Sequence, residues 1–170
     1  VNLFVVADGM GGYTGGAVAS KLAVDTIAEA FKEYSFGEKD AGEIPKRARE
    51  LARAVQMANE KIYRHAQQDR ALSGMGTTVC AARFSPNKQR LYLAHVGDSR
   101  VYRLRGGNLR QMTADHTMKD LGVGGASATH LSRAVGVWPR VSIDVVLGKP
   151  LPGDVYMLCS DGLSKMVTDE

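Results

Sequence analysis

At Ser73–Gly76, "SGMG", the apolar period of the chain changes, and this change limits the fold more than any other feature. Upstream, two long segments repeat apolar residues every three to four positions, the period of a helix with one buried face. The first runs from Gly15 to Tyr34, with Val18, Leu22, Ile27 and Phe31 at that spacing. The second starts around Pro45, a residue suited to a first helical turn, and runs to about Arg70 with Ala48, Leu51, Val55, Ala58 and Ile62. The glutamates and arginines between those positions read as a solvated face. The polar stretch "SFGEKDAGE" separates the two as a loop.

Downstream the period is two. "TTVCAARF", "RLYLAHV", "RVYRLR" and "NLRQM" are short runs divided by "SPNK", "GDS" and "GG". They predict a meander of antiparallel strands. "SIDVVLG" and "DVYMLCS", split by "KPLPGD", add two more. "NLFVVA" at the start reads as a buried strand, and the Gly-, Ala- and Ser-rich stretch 121–133 reads as a mobile loop. Helices adjacent in sequence beside mostly antiparallel strands predict an α+β layered domain. With 170 residues, no internal repeat and no linker, one domain is expected.

Three of these strands end alike. "FVVADGMGG", "LAHVGDSR" and "YMLCSDGL" each finish an apolar run with an aspartate that has glycine beside it: Asp8–Gly9, Gly97–Asp98 and Asp161–Gly162. One Asp-Gly pair is an ordinary turn. Three at strand ends put their carboxylates on one rim if the strands share or face a sheet. Two carboxylates about 4 Å apart repel by roughly 4 kcal/mol at an effective dielectric near 20. Either one takes a proton or a cation lies between them. No histidine or cysteine cluster has the sequence spacing of a zinc site, and oxygen donors alone favour magnesium or manganese. The rival for the opening glycines is a dinucleotide-binding turn. It fails because Asp8 directs negative charge at a pyrophosphate and no second strand follows the helix.

Other classes are excluded more quickly. Lysine and arginine exceed the acids by 22 − 18 = 4, and aromatic residues make up 6%, with no basic stripe interleaved with stacking residues, so nucleic acid is not an expected partner. No stretch has the roughly 20 apolar residues that a bilayer-spanning helix needs, and no membrane contact is expected. Cys80 and Cys159 lie in apolar runs and read as reduced thiols of a cytoplasmic protein, with a disulfide as the alternative. "LCSDG" also lacks the C-x5-R loop of cysteine phosphatases.

"VVADGMGG", "SGMGTTVCAA", "LYLAHVGDSRVYRLRGGNLRQMTADHT", "LSRAVGV" and "YMLCSDGLSKMV" resemble, in order and approximate spacing, the bacterial metal-dependent serine/threonine protein phosphatases of the 2C type. The resemblance implies a four-layer α-β-β-α sandwich with mostly antiparallel sheets and two Mn2+ or Mg2+ ions in a cleft at one end, with a third ion in bacterial members. It implies that Asp8 bridges both ions, that Gly9 offers its backbone carbonyl to one, that Asp161 holds the first, and that Asp98 and Asp161 hold the third. Through a water activated by those ions, Asp8 and Asp161 serve hydrolysis of phosphoserine and phosphothreonine in proteins. Phosphoproteins, a serine/threonine kinase or its substrates, are the implied partners. Thr77 and Thr78, and likewise Asp115 and His116, are given structural roles.

The departures from the family pattern carry expectations too. The chain over residues 1–170 is expected to be a truncated domain, lacking the family's terminal strands, an upstream phosphate-gripping arginine and a late aspartate ligand. Its flap-like loop over 121–133 is short, and Met10 stands where animal members carry a histidine. Methionine cannot give a proton to the leaving oxygen, so water or another group must. The fragment alone is expected to bind metal weakly and to show little or no activity. The alternative function is a catalytically inactive protein-binding module of the same fold. The arginines of "RVYRLRGGNLR" read as protection of a sheet edge.

Overall fold

The computed structural model describes residues 2–33, 36 and 43–169. The polar loop expected over residues 35–43 falls mostly outside them, as does Tyr34.

Two helices form one layer. α1 spans Gly12–Glu33 and α2 spans Lys46–Gln68. On α2 every expected core position, Ala48, Leu51, Val55, Ala58 and Ile62, is fully buried. Pro45 is its N-cap, with an extended ψ of 141°, rather than part of the first turn. Glu50 departs from the solvated face expected for the α2 charges. It is buried and accepts a hydrogen bond at 2.6 Å from Arg83 on the sheet below. On α1 the fully enclosed positions are Ala19, Ala23 and Ile27, while Val18, Leu22 and Phe31 flank them. Small side chains let the two helices approach closely, so alanines take the seam that periodicity assigned to larger residues.

The strands are β1 (Leu3–Val6), β2 (Gly9–Met10), β3 (Gly76–Thr77), β4 (Val79–Phe84), β5 (Leu91–Val96), β6 (Arg100–Arg105), β7 (Asn108–Gln111), β8 (Asp144–Gly148) and β9 (Val155–Cys159). One sheet has the order β1-β4-β5-β8 and a second has β7-β6-β9; β2 pairs with β3. All the strand pairs are antiparallel. Alternation divides the first sheet between two cores. Val79, Ala81, Tyr92, Ala94 and Val96 face α1 and α2. Cys80, Ala82, Leu91 and Leu93 face the second sheet, meeting Val101, Tyr156 and Leu158. Phe84 joins the sheets at their far end, edge-on to Phe4 and to Tyr156.

The α+β reading therefore holds, as one helical layer on two stacked antiparallel sheets. After β9 the described residues add one further short helix, α3 (Asp161–Ser164). Stretch 121–133 begins at the end of one 3-10 turn, Lys119–Leu121, and contains another, Gly125–Thr129. Cys80 and Cys159 are free thiols, both buried.

Topology decides where the aspartates go. β1 and β5 both run antiparallel to β4, so both finish at one end of the first sheet. β5 then crosses directly into β6, and β9 finishes against the start of β6, Cys159 opposite Arg100. The residues that follow β1, β5 and β9 thus lie at one rim.

Candidate metal centre

Asp8, the second residue after β1, is held by its backbone. Its N–H donates to Thr78 Oγ1 at 3.0 Å, and its carbonyl accepts from Thr77 Oγ1 at 2.9 Å and from the Thr78 N–H at 2.8 Å. Thr78 Oγ1 is tied in turn to Ser99 Oγ at 2.6 Å, in the β5–β6 crossing that carries Asp98. This frame also needs bare backbone. A Cβ on Gly9 would lie 1.9 Å from the carbonyl oxygen of Gly16, and one on Gly97 (φ 102°) would lie 2.7 Å from Thr78 Cγ2. The glycines beside Asp8 and Asp98 are therefore there for close approach as well as for turning.

At the rim the Asp8 side chain lies within hydrogen-bonding reach of the Asp161 side chain, and Asp98 lies close enough for its charge to act on Asp8 and for the charge of Asp161 to act on it. All three are half-buried. Burial, then the hydrogen bond with Asp161 and the charges of Asp161 and Asp98, push the Asp8 carboxyl above the ordinary carboxylate range. The Asp161 carboxyl moves down, first because the Lys165 ammonium donates to it and then because Asp8 does, against the cost of burial. Burial, followed by the charge of Asp161, raises Asp98.

That arrangement fits a hard divalent cation. The donors are oxygens only, and burial together with the crowding of the acids pushes the Asp8 and Asp98 carboxyls upward for want of positive charge. A cleft of about 180 Å³ opens beside the cluster, lined among others by Asp98, Asp115, Asp161 and Lys165. Arg100, at its wall, is committed elsewhere. Its guanidinium donates to both oxygens of Asp115, at 2.8 to 3.2 Å, and to Tyr102 Oη. A larger groove of about 630 Å³ lies between α1 and α2 and holds none of these aspartates.

The model of protein phosphatase 2C matches residues 1–170. The chain belongs to the protein phosphatase 2C family. It is 36% identical over 178 residues to the serine/threonine phosphatase Stp of Listeria welshimeri, covering 98% of this chain and 68% of that one. It is also 36% identical over 178 residues to the serine/threonine protein phosphatase PstP of Mycobacterium tuberculosis, covering 99% of this chain and 33% of that protein. The solved catalytic domain of PstP in complex with two manganese ions superposes with a TM-score of 0.79 at 36% identity, over 99% of this chain and 70% of that one.

This phosphatase 2C chain also brings together residues that sequence spacing kept apart. Ligand atoms of His95, His116 and Asp144 lie within 4.8 Å of one another. The hydrogen bonds argue for a structural role. The Gly97 N–H donates to His116 Nδ1 at 3.1 Å, so the ring proton sits on Nε2 and is donated to Asp144 Oδ2 at 3.0 Å. Arg133 holds the other Asp144 oxygen at 2.7 Å. A cation there would have to displace that proton beside a guanidinium. The chain of bonds instead braces the crossing in front of Asp98. Asp115 and Arg100 brace its other side.

Lys165 was not singled out by the sequence. Its signal was present, four residues after Asp161, but only the fold shows that Asp161 is crowded by two other acids. Two of the four arginines of the β6–β7 hairpin are not free positive charges either. Arg105 is paired with Asp154 at 2.7 Å and Arg100 with Asp115.

Proposed function

We propose that this chain is the metal-dependent core of an enzyme that hydrolyses phosphoserine and phosphothreonine in proteins, with Asp8, Asp98, Asp161 and the Gly9 carbonyl as cation ligands. The observation that carries the reading is the meeting of Asp8 and Asp161, from different sheets, within hydrogen-bond reach of each other and beside Asp98. The PstP catalytic domain with two manganese ions makes Mn2+ the favoured ion, with Mg2+ the alternative and a third ion at Asp98 and Asp161. When bound, such cations lower the pKa of water to give a nucleophile and offset charge on a transferring phosphoryl group.

The chain's own residues supply position. Thr77 and Thr78 occupy the Asp8 carbonyl, so the backbone oxygen offered to a cation comes from the next residue, Gly9. A cation held by Asp8 would favour its ionised form, against the upward push of burial and of Asp161. A covalent route through sulfur lacks a nucleophile. Burial raises the pKa of both Cys80 and Cys159, so neither is an exposed thiolate. Met10, beside Gly9, carries no proton to donate, so solvent protonates the leaving alkoxide. Two buried reduced thiols suit a reducing compartment, and the proposed substrates are cytoplasmic phosphoproteins, a kinase or its targets.

The test is phosphate release from a phosphothreonine peptide. Mn2+ should support turnover, and excess chelator or Asp8→Ala should abolish it. Equal turnover by Asp8→Ala would overturn the assignment.

A further inference from the structure

Lys165 stands one turn beyond Asp161 in the chain, and its ammonium forms a close ion pair with Asp161 Oδ2. Asp161 thereby has two neighbours, the Lys165 ammonium that donates to it and the Asp8 side chain beside it. The other nearby guanidinium is not available, because Asp115 and Tyr102 hold Arg100. Asp161 and Lys165 line the same small cleft as Asp98. The lysine side chain is 60% exposed and Asp161 only 28%, so the acid is fixed in the rim while the ammonium reaches in from solvent on a flexible stem. A hydrated point charge on four methylenes can leave without disturbing the core.

We propose that Lys165 is a tethered counter-ion for the rim. It holds the Asp161 carboxylate until a divalent cation displaces it, and so it weakens metal binding while stabilising the metal-free fold. This inference rests on reading Asp8, Asp98 and Asp161 as cation ligands. Its physical content is a competition. Every cation that takes Asp161 must break the ammonium–carboxylate bond and then sit near the positive charge it released. Removing the charge removes both costs.

The experiment titrates the whole chain with Mn2+ alone and follows free Mn2+ by electron paramagnetic resonance, alongside thermal unfolding in chelator. Lys165→Met keeps the stem and loses the charge, and Lys165→Arg keeps the charge. Lys165→Met should bind Mn2+ about tenfold more tightly, the scale of one lost charge-assisted bond, while its unfolding midpoint in chelator falls. Lys165→Arg should bind within about twofold of the parent protein. Lys165→Gln repeats the charge removal in case methionine perturbs the rim. Unchanged or weaker Mn2+ binding by the two neutral variants, with the parent protein still binding, overturns the counter-ion role and leaves the ligand assignment standing. Absence of Mn2+ binding in every protein overturns both.

Discussion

Asp8 and Thr78, seventy positions apart in sequence, hold each other by two hydrogen bonds in opposite directions. The Asp8 N–H donates to the Thr78 hydroxyl at 3.0 Å, and the Thr78 N–H donates to the Asp8 carbonyl at 2.8 Å. The first is made by a side chain whose oxygen also meets Ser99, just after Asp98. One hydroxyl therefore links the backbone of one rim aspartate to the segment carrying another. Thr78→Val keeps the shape and leaves the Asp8 N–H and the Ser99 hydroxyl without that partner. We expect a loss of about 2 kcal/mol in chemical denaturation, since buried polar groups left unpaired cost about 1–3 kcal/mol. We also expect weaker Mn2+ binding. Parent-like values for both would show that the hydroxyl bridge does not hold the rim.

Gly16 packs against the backbone after β1. A Cβ on it would lie 2.9 Å from the Gly9 carbonyl group, a backbone contact that no rotamer change can relieve. Alanine is the better helix former and would stabilise an exposed helix here. We expect the reverse for Gly16→Ala, a loss of about 2 kcal/mol as the rim is pushed away from α1. Differential unfolding of the two proteins in denaturant measures it, and a stabilised variant would contradict the close approach.

How much of this was legible before the fold was known follows from the same residues. The α2 stripe and the strand runs were, because burial on one face writes its period directly into the sequence. So was the recurrence of aspartate beside glycine at strand ends. The start of α1 was not. Periodicity places its start at Gly15, yet α1 begins at Gly12, and Gly16 is buried where the Gly9 backbone presses on it. Nor were the Thr77, Thr78 and Ser99 bonds or the His95–His116–Asp144 grouping, which depend on strand register and on the crossing between sheets. Lys165 belongs with these, since an i,i+4 ion pair matters only once its acid is known to be crowded.

His95 gives the stability a pH signature. Burial, then the neighbouring His116, lower its pKa to about 4 from 6.5, with the hydrogen bond to the Gly97 carbonyl first and then Asp144 and Asp115 opposing. Between those values the unfolded chain binds the proton and the folded one does not, so stability is full above pH 6.5 and falls as pH drops towards 4. The shift amounts to about 3 kcal/mol at 1.36 kcal/mol per pKa unit. His95→Gln should flatten the profile between pH 6.5 and 4 when denaturant midpoints of the two proteins are compared. Parallel profiles would place the titrating group elsewhere.

The central claim is that the acids after β1, β5 and β9 gather at one rim to hold divalent cations. The most direct test is the anomalous difference map of crystals grown in Mn2+. It should show density within bonding distance of Asp8 and Asp161, with any further peak beside Asp98. Density only at His95, His116 and Asp144, or none near Asp8, would contradict it.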